Sequence, residues 1–403
     1  MDRAKNPFSP GAGTPPPELV GRSEILADAM VALERVKGGR AEKSMILVGL
    51  RGVGKTVLLG EIQHVAEEQG YKVTFIEAHE SRQKKTLPQL LIPHLRRILF
   101  ELNRGEMVSE KARRALRVFK SFITALKLKA GDVEFSIDID GETGEADSGD
   151  LEVDLASLFV VIGEAAKDRK TSVAIIIDEL QYVDEKELSA MIMAIHRVSQ
   201  KSLPLILIGA GLPQIIGKAG NSKSYAERLF SYPEVGALNR EDTEVALQAP
   251  VQAYGISFSS EALEEIYKVT KGYPYFLQEW GYHAWNVAAS DSSVITVADV
   301  NNANKLAIAN LDKNFFKVRF DRLTPSEKKY VRALAELGIK PQRSGDIASK
   351  LGKTVEQVAP LRAQLINKGM IYSPAHGDIA FTVPLFEEFL MREIPKFSSQ
   401  DHY

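Results

Sequence analysis

The sequence predicts an α/β fold: a parallel five-stranded sheet flanked by helices, then an all-helical segment, then a small module of helices and a hairpin. Three observations carry this. From residue 18 to about 238, short β-branched apolar runs alternate with longer helical patterns, the rhythm of strand–helix–strand units. The runs are apolar throughout rather than alternating, as strands covered on both faces must be. Residues 239–320 hold helix patterns and no such runs.

Taken in order, residues 1–17 are rich in Pro and Gly and read as a flexible lead. The five expected strands are 45–49, 72–76, 173–178, 203–209 and 234–238. Within 239–320, helices are expected to begin near Asp242, Ser259, Pro274 and Thr296. Trp280, Tyr282, His283 and Trp285 fall on one of these helices, where aromatic residues ordinarily fill a core. Residues 321–396 form a separate module. Thr324-Pro325-Ser326-Glu327 supplies a Thr cap, a Pro at the first helical position and a Glu three residues after the cap. Helices follow at about 325–337 and 345–350. A third closes at Lys368-Gly369, with Leu361, Leu365 and Ile366 on its inner face and Pro360 at an early position. Segments 370–373 and 378–383 read as a hairpin, and three helices with a hairpin make a winged helix–turn–helix.

Composition excludes several classes of function. Cysteine is absent, which rules out disulfides and Cys-ligated zinc or iron–sulfur centres, and the seven His lack ligand spacing. The longest apolar runs, 174–177 and 203–208, are far too short to span a bilayer, and residues 1–17 lack the apolar centre of a signal peptide. No membrane partner and a cytoplasmic location are expected. A net charge of −2 leaves the question of nucleic acid to local charge.

Local charge is concentrated in an insertion at 81–154, between the second and third strands. Residues 81–130 carry thirteen Lys/Arg against three Glu, and residues 131–154 carry ten Asp/Glu and no basic residue. Leu116, Phe119, Phe122, Ile123 and Leu126 recur at helical spacing, with Arg113, Arg114, Arg117 and Lys120 largely off that stripe. The alternation over 133–139, followed by Gly141 and Gly144, reads as a hairpin. The two blocks either neutralise each other or face a partner such as DNA.

Gly49-Leu50-Arg51-Gly52-Val53-Gly54-Lys55-Thr56 fits G-x-x-x-x-G-K-[ST] without mismatch, with an apolar strand before it and a helical pattern from Val57 after it. In that setting the glycines let backbone N–H groups wrap phosphate oxygens, and the helix N-terminus adds a favourable dipole. Lys55 is expected on the β/γ-phosphates of ATP and Thr56 on Mg²⁺. The run 174–177 ends in Asp178-Glu179. Asp178 is expected to hold the magnesium through water and Glu179 to polarise the attacking water, so hydrolysis of ATP to ADP is expected rather than binding alone.

With these motifs the sequence resembles the AAA+ P-loop ATPases, particularly the initiator (origin-recognition-like) branch and its archaeal-type and signal-transduction (STAND) relatives. The resemblance covers about 18–396, divided as a P-loop ATPase core (18–238), a helical lid (239–320) and a winged helix (321–396). It implies that Glu18-Leu19-Val20-Gly21-Arg22 lies against the adenine. It implies an arginine finger at Arg228, just before the fifth strand, reaching a neighbouring subunit and hence a homo-oligomer. The polar sensor expected after the fourth strand is replaced by Gly209-Ala210-Gly211, and residues 272–292 contain no Lys or Arg for the lid sensor. Gly272-Tyr273-Pro274 is similar to the Gly-x-Pro element that packs on nucleotide in the STAND group. Loss of both sensors implies slow hydrolysis.

Three readings of function follow. In the first, a slowly hydrolysing ATPase acts on duplex DNA through 321–396, with Arg362, Gln364, Asn367 and Lys368 toward a groove and Arg343, Lys350 and Lys353 on phosphates. That module is nearly balanced, with twelve Lys/Arg against ten Asp/Glu over 321–403, where a DNA binder has a denser basic face. In the second, a STAND-like switch uses the winged helix to contact protein or to close over ADP. In the third, the chain is an accessory ATPase of a mobile element or defence system.

Overall fold

In the computed structural model, which describes residues 1–11, 13–79, 85–104, 109–126 and 140–396, β1 (Ser44–Val48), β2 (Tyr71–Glu77), β3 (Ser172–Asp178), β4 (Leu205–Gly211) and β5 (Phe230–Ser231) form one sheet. The order is β2–β3–β4–β1–β5 and every pairing is parallel. Every residue of β1, β3 and β4 is buried, which is why these segments are unbroken apolar runs. β4 starts after Pro204 and runs on to Gly211, two residues past the expected end. The fifth strand lies earlier than 234–238. Pro233 has no N–H to give a ladder, and beyond it pairing shrinks to a single bridge between Val48 and Glu234.

The chain divides into two units. One comprises Glu24–Val48 and Leu58–Glu234; the other comprises Met1–Ser23, Gly49–Val57 and Val235–Tyr403. The first unit holds the sheet and, for all but their first residues, helices α1 (Ser23–Lys37) and α2 (Lys55–Glu68). It also holds α3 (Leu87–Asn103), α4 (Glu110–Ala125), α5 (Leu151–Asp168), α6 (Glu185–Gln200), α7 (Gln214–Ser222) and the short α8 (Ala226–Leu229). A Thr86–Gln89 capping box starts α3, whose Leu91, Leu95, Ile98 and Leu102 follow helical spacing into the core. Helix α4 buries Leu116, Phe119 and Phe122 as its periodicity requires. The expected hairpin at 133–139 lies outside the described residues.

The insertion's charges meet one another. Arg114 reaches Glu142 at 2.9 Å and Glu145 at 2.6 Å, and Arg117 reaches Glu142 at 3.2 Å and Glu110 at 3.0 Å. The hydrogen bond from Arg114 holds the Glu142 carboxyl below its ordinary range. Among the described residues, the neutralising arrangement is the one observed.

The second unit contains α9 (Arg240–Gln252), α10 (Ser260–Thr270), α11 (Pro274–Val287), α12 (Val297–Leu311), a π-helical turn at Asp312–Phe316 and α13 (Lys317–Phe320). Asn239 caps α9, one turn before Asp242, and Ser259 and Thr296 cap α10 and α12. This stretch is not purely helical: β6 (Ser257–Phe258) pairs with β7 (Val294–Ile295). Trp280 and Trp285 are buried in its core. The leading residues, expected to be flexible, are anchored there. Phe8 is 2% exposed, and its ring occupies the space a side chain at Gly281 would need. The Trp285 indole donates to Asp2 O at 2.8 Å, and Ser9 N donates to Gln278 at 3.1 Å.

The same unit ends in α14 (Pro325–Glu336), β8 (Gln342–Arg343), α15 (Ser344–Lys350), α16 (Val355–Asn367), β9 (Ile371–Tyr372), β10 (Asp378–Phe381) and α17 (Phe386–Glu393). The strands form an antiparallel sheet in the order β8–β10–β9. Pro360 lies inside α16 rather than near its start, because a Thr354–Gln357 capping box begins the helix earlier.

Candidate functional site: the phosphate loop and the carboxyl end of β3

The loop Gly49–Val57 leaves the carboxyl end of β1 and turns into α2 at Lys55. Gly52 and Gly54 have φ of +79° and +92°, the left-handed region where a side chain is strained. At Gly49 the constraint is space: a Cβ there would come within 2.2 Å of Val235 O. Around Gly54 nothing lies within 4 Å of that position. Lys55 is buried, and its ammonium donates to Gly49 O at 2.9 Å and Leu50 O at 2.8 Å, closing the loop on itself. Thr56 is exposed in the first turn of α2. Open glycine backbone, a cation and a hydroxyl at a helix N-terminus suit a nucleotide's phosphates and its magnesium.

Within its unit the loop is held at three points. Arg22 is buried and donates to Gly21 O at 3.1 Å, Val53 O at 3.3 Å and Gly236 O at 2.5 Å. Burial pulls its guanidinium below the usual arginine range, against the opposing charge of Asp242. Gly21, at φ +68°, brings the chain so close that a Cβ would lie 2.7 Å from the Asp242 carboxylate. Val20 is half-buried beside the same core. The second point is Tyr275, whose backbone N–H donates to Gly52 O at 3.1 Å. Gly272-Tyr273-Pro274 sets this up: Gly272 O accepts from Leu238 N at 2.8 Å, and Pro274 opens α11 one residue before Tyr275. The third point is the backbone N–H of Arg51, which donates to Thr382 O at 3.0 Å. Tyr275 and Thr382 were missed by sequence reasoning, and since both bonds are made by main chain, no residue type could signal them.

In the other unit, β3 ends at Asp178, which is 2% exposed and accepts from the backbone N–H of Glu179 at 2.7 Å. Glu179 adopts φ +56°, ψ +38°, a left-handed conformation unusual for a side-chain residue. Non-glycine strain of this kind gathers at functional positions. A 3₁₀ turn, Leu180–Tyr182, follows. Its Leu180 explains the glycine at 209: a Cβ there would lie 2.3 Å from Leu180 Cδ1. Gln181, also missed by sequence reasoning, donates through Nε2 to Glu179 Oε2 and accepts from Leu212 N at 3.1 Å. Its place two residues after Glu179 is the only local cue, and the bond to Leu212 leaves none.

Arg228 is exposed on α8, one residue from β5 by way of Leu229, and among the described residues no ion pair holds it. Three of the seven residues expected on nucleic acid make side-chain bonds within that module. Lys368 bonds the buried Glu327 at 2.7 Å, Arg362 bonds Ser344 at 3.2 Å, and Arg343 bonds Asp378 at 3.1 Å. Gln364, Asn367, Lys350 and Lys353 are exposed. Among the described residues, no helix is long and apolar enough to cross a membrane.

Residues 18–208 match a family model described as an AAA ATPase domain. Residues 313–390 match one described as a domain of unknown function, DUF8462. No curated protein matches the chain. The chain is similar to the solved Walker-type ATPase PABY2304 of Pyrococcus abyssi, with 14% identity over 95% of this chain and 99% of that one and a TM-score of 0.56. It is also similar to Cdc6p from Pyrobaculum aerophilum, at 13% identity, 98% of each chain and a TM-score of 0.48. A third likeness is to the Aeropyrum pernix ORC1 protein, solved in complex with DNA, at 14% identity, 94% of each chain and a TM-score of 0.47. The first of these, with the parallel sheet, shows the P-loop NTPase fold. The AAA domain match implies nucleotide binding and ATP hydrolysis by residues 18–208.

Proposed function

We propose that this chain is a nucleotide-controlled ATPase switch, in which the phosphate loop passes its state to the C-terminal module. The observation that carries this reading is the wiring of Gly49–Val57: Gly52 is bonded by Tyr275 of α11, and Arg51 by Thr382 next to β10. A loop that only held phosphates would need neither.

In this reading residues 18–238 are the ATPase core, 239–320 the lid and 321–396 a winged helix, the last supported by its three helices and its β8–β10–β9 sheet. Backbone N–H groups of the loop 49–57, other than that of Arg51, cradle the phosphates of ATP or ADP, with Lys55 as the point charge. Val20, Gly21 and Arg22 line the base side, with Tyr273 and Pro274 at the start of the lid helix. Thr56 and Asp178 would hold Mg²⁺, which when bound would neutralise charge that develops on the phosphates. Glu179 orients the attacking water and accepts its proton, giving ADP and phosphate. Arg228 serves a neighbouring copy in a homo-oligomer. Turnover is slow, below the enzyme median of about 10 per second, because β4 ends in glycines and no Lys or Arg stands at 272–292.

The output has two readings. A winged helix closed on the phosphate loop and acting on protein is favoured by the internal engagement of Lys368, Arg362 and Arg343. A module gripping duplex DNA has the exposed Lys350, Lys353, Gln364 and Asn367 in its support. Steady-state hydrolysis with and without duplex DNA, beside Glu179→Gln, decides between them. DNA-stimulated turnover abolished by Glu179→Gln supports the DNA reading; slow turnover indifferent to DNA supports the closed switch. The site assignment fails if Lys55→Ala binds ATP as the unaltered protein does.

A further inference from the structure

We propose that Gln181 is a positioning residue for Glu179, clamping the water-activating carboxylate to the end of β4 in place of a polar side chain on that strand. The proposal rests on the reading of Glu179 given above.

The geometry fixes which way the Gln181 amide points. A backbone N–H can only donate, so Leu212 N at 3.1 Å must face the amide oxygen, Oε1. The amide nitrogen is thereby turned to Glu179, where Nε2 donates to Oε2. The usual ambiguity between amide oxygen and nitrogen does not arise. One oxygen of the Glu179 carboxylate is thereby held by the protein.

The surroundings are built around this clamp. Leu180 fills the side-chain space of position 209, and a Cβ at Gly211 would lie 3.2 Å from Gln181 Oε1. The glycines where a polar side chain was expected therefore leave room for residues 180 and 181. The main chain of the turn is pinned as well: Lys218 of α7 donates to Gln181 O at 3.2 Å and to Val183 O, and Tyr182 N donates to Glu179 O at 3.0 Å. The left-handed backbone of Glu179 sets the direction in which its side chain leaves the turn, and the amide holds one oxygen at its end. The charged groups around the turn are Asp178 before it, Asp184 after it and Lys218 on α7; β4 contributes none.

The test is hydrolysis by the full chain carrying Gln181→Met, Gln181→Glu or Glu179→Gln, with nucleotide affinity measured separately using a fluorescent ATP analogue. Gln181→Met keeps the volume and loses both hydrogen bonds. It should lower kcat by about 10- to 100-fold, as loss of orientation does, with affinity changed less than about twofold. Gln181→Glu keeps an acceptor toward Leu212 but puts a second carboxylate where the amide donated to Glu179, and it should be as poor. A residue that merely fills space would keep its kcat in Gln181→Met, which has the same bulk. The proposal is overturned by near-normal or raised kcat in Gln181→Met, or by a loss of nucleotide affinity in that variant as large as its loss of kcat. Full turnover by Glu179→Gln would instead overturn the reading of Glu179, and the clamp with it.

Discussion

Glycines 52 and 209 are demanded by different physics, and the difference gives separable outcomes. At Gly52 the backbone itself is left-handed, at φ +79°, so any side chain costs about 1–2 kcal/mol whatever surrounds it. A Cβ would also press within 3.2 Å of Tyr275 Cβ. Gly52→Ala should thus lower both the unfolding midpoint and ATP affinity, checked by thermal melts with and without ATP. At Gly209 the backbone is ordinary strand, and the obstacle is Leu180 at 2.3 Å. Gly209→Ser, which puts a hydroxyl where a polar sensor is expected, should cost about 1–3 kcal/mol through overpacking. Faster turnover in that variant would show that Leu180 yields. Gly209→Ser combined with Leu180→Ala should recover part of the lost stability in urea titration.

Between elements, the junction of α14 and α16 gives a pH-dependent outcome. Glu327 is buried and closes the capping box at Thr324 N, 2.7 Å away, while Lys368 at the end of α16 donates to it at 2.7 Å. Burial pushes the carboxyl up, but the bonds from Lys368 and Thr324 outweigh it, and the net shift is downward. A lowered carboxyl pKa stabilises the fold above the unfolded value, near 4.3, and that contribution fades as pH falls through the folded value. Lys368→Met leaves a buried carboxylate without its cation, a loss of about 3 kcal/mol or more at neutral pH. The deficit should shrink as acid protonates Glu327 in the variant. Urea titrations at pH 7 and near pH 4 would reveal it, and an equal deficit at both would remove the ion pair from the account. Elements of this size also mark what the sequence could reveal. β1 and β3 were legible because full burial on both faces writes an unbroken apolar run. Of the two-residue strands, β5 was placed too late and β6, β7 and β8 were missed, while β9 was legible only as part of a hairpin. Phe8 was hidden by the Pro- and Gly-rich stretch around it. The Gly-Lys-Thr loop and Asp178-Glu179 were legible because their chemistry fixes residue types at fixed spacing. Gln181 was not, because its second bond reaches Leu212, thirty-one residues away.

For the molecule as a whole, the decisive fact is that Gly49–Val57 is covalently part of a sheet connection yet groups with α9–α17. Two routes lead from it to the C-terminal elements. One is the direct bond from Arg51 N to Thr382 O. The other runs through Tyr275, whose ring stacks on Phe315 at 4.8 Å, then from Phe315 to Phe316 at 5.1 Å and on to Phe389 at 5.4 Å. The turn carrying Phe315 and Phe316 is π-helical, a distortion frequent at functional sites. Each backbone bond is worth about 1 kcal/mol net. Losing both Tyr275–Gly52 and Arg51–Thr382 would shift a two-state balance about thirtyfold, within the usual range of coupling between sites. Amide exchange should report this. In the Glu179→Gln variant, adding ATP should change exchange over 273–276 and 370–383 together, relative to ADP, and Lys55→Ala should abolish the difference. Tyr275→Ala keeps its N–H but loses the ring, so it should preserve the response at 382 while uncoupling Phe315, Phe316 and Phe389. Any exchange change that nucleotide causes in α17 should therefore weaken. If nucleotide leaves 370–383 unchanged, the module is a fixed wall of the phosphate loop, and regulation must act elsewhere in the chain.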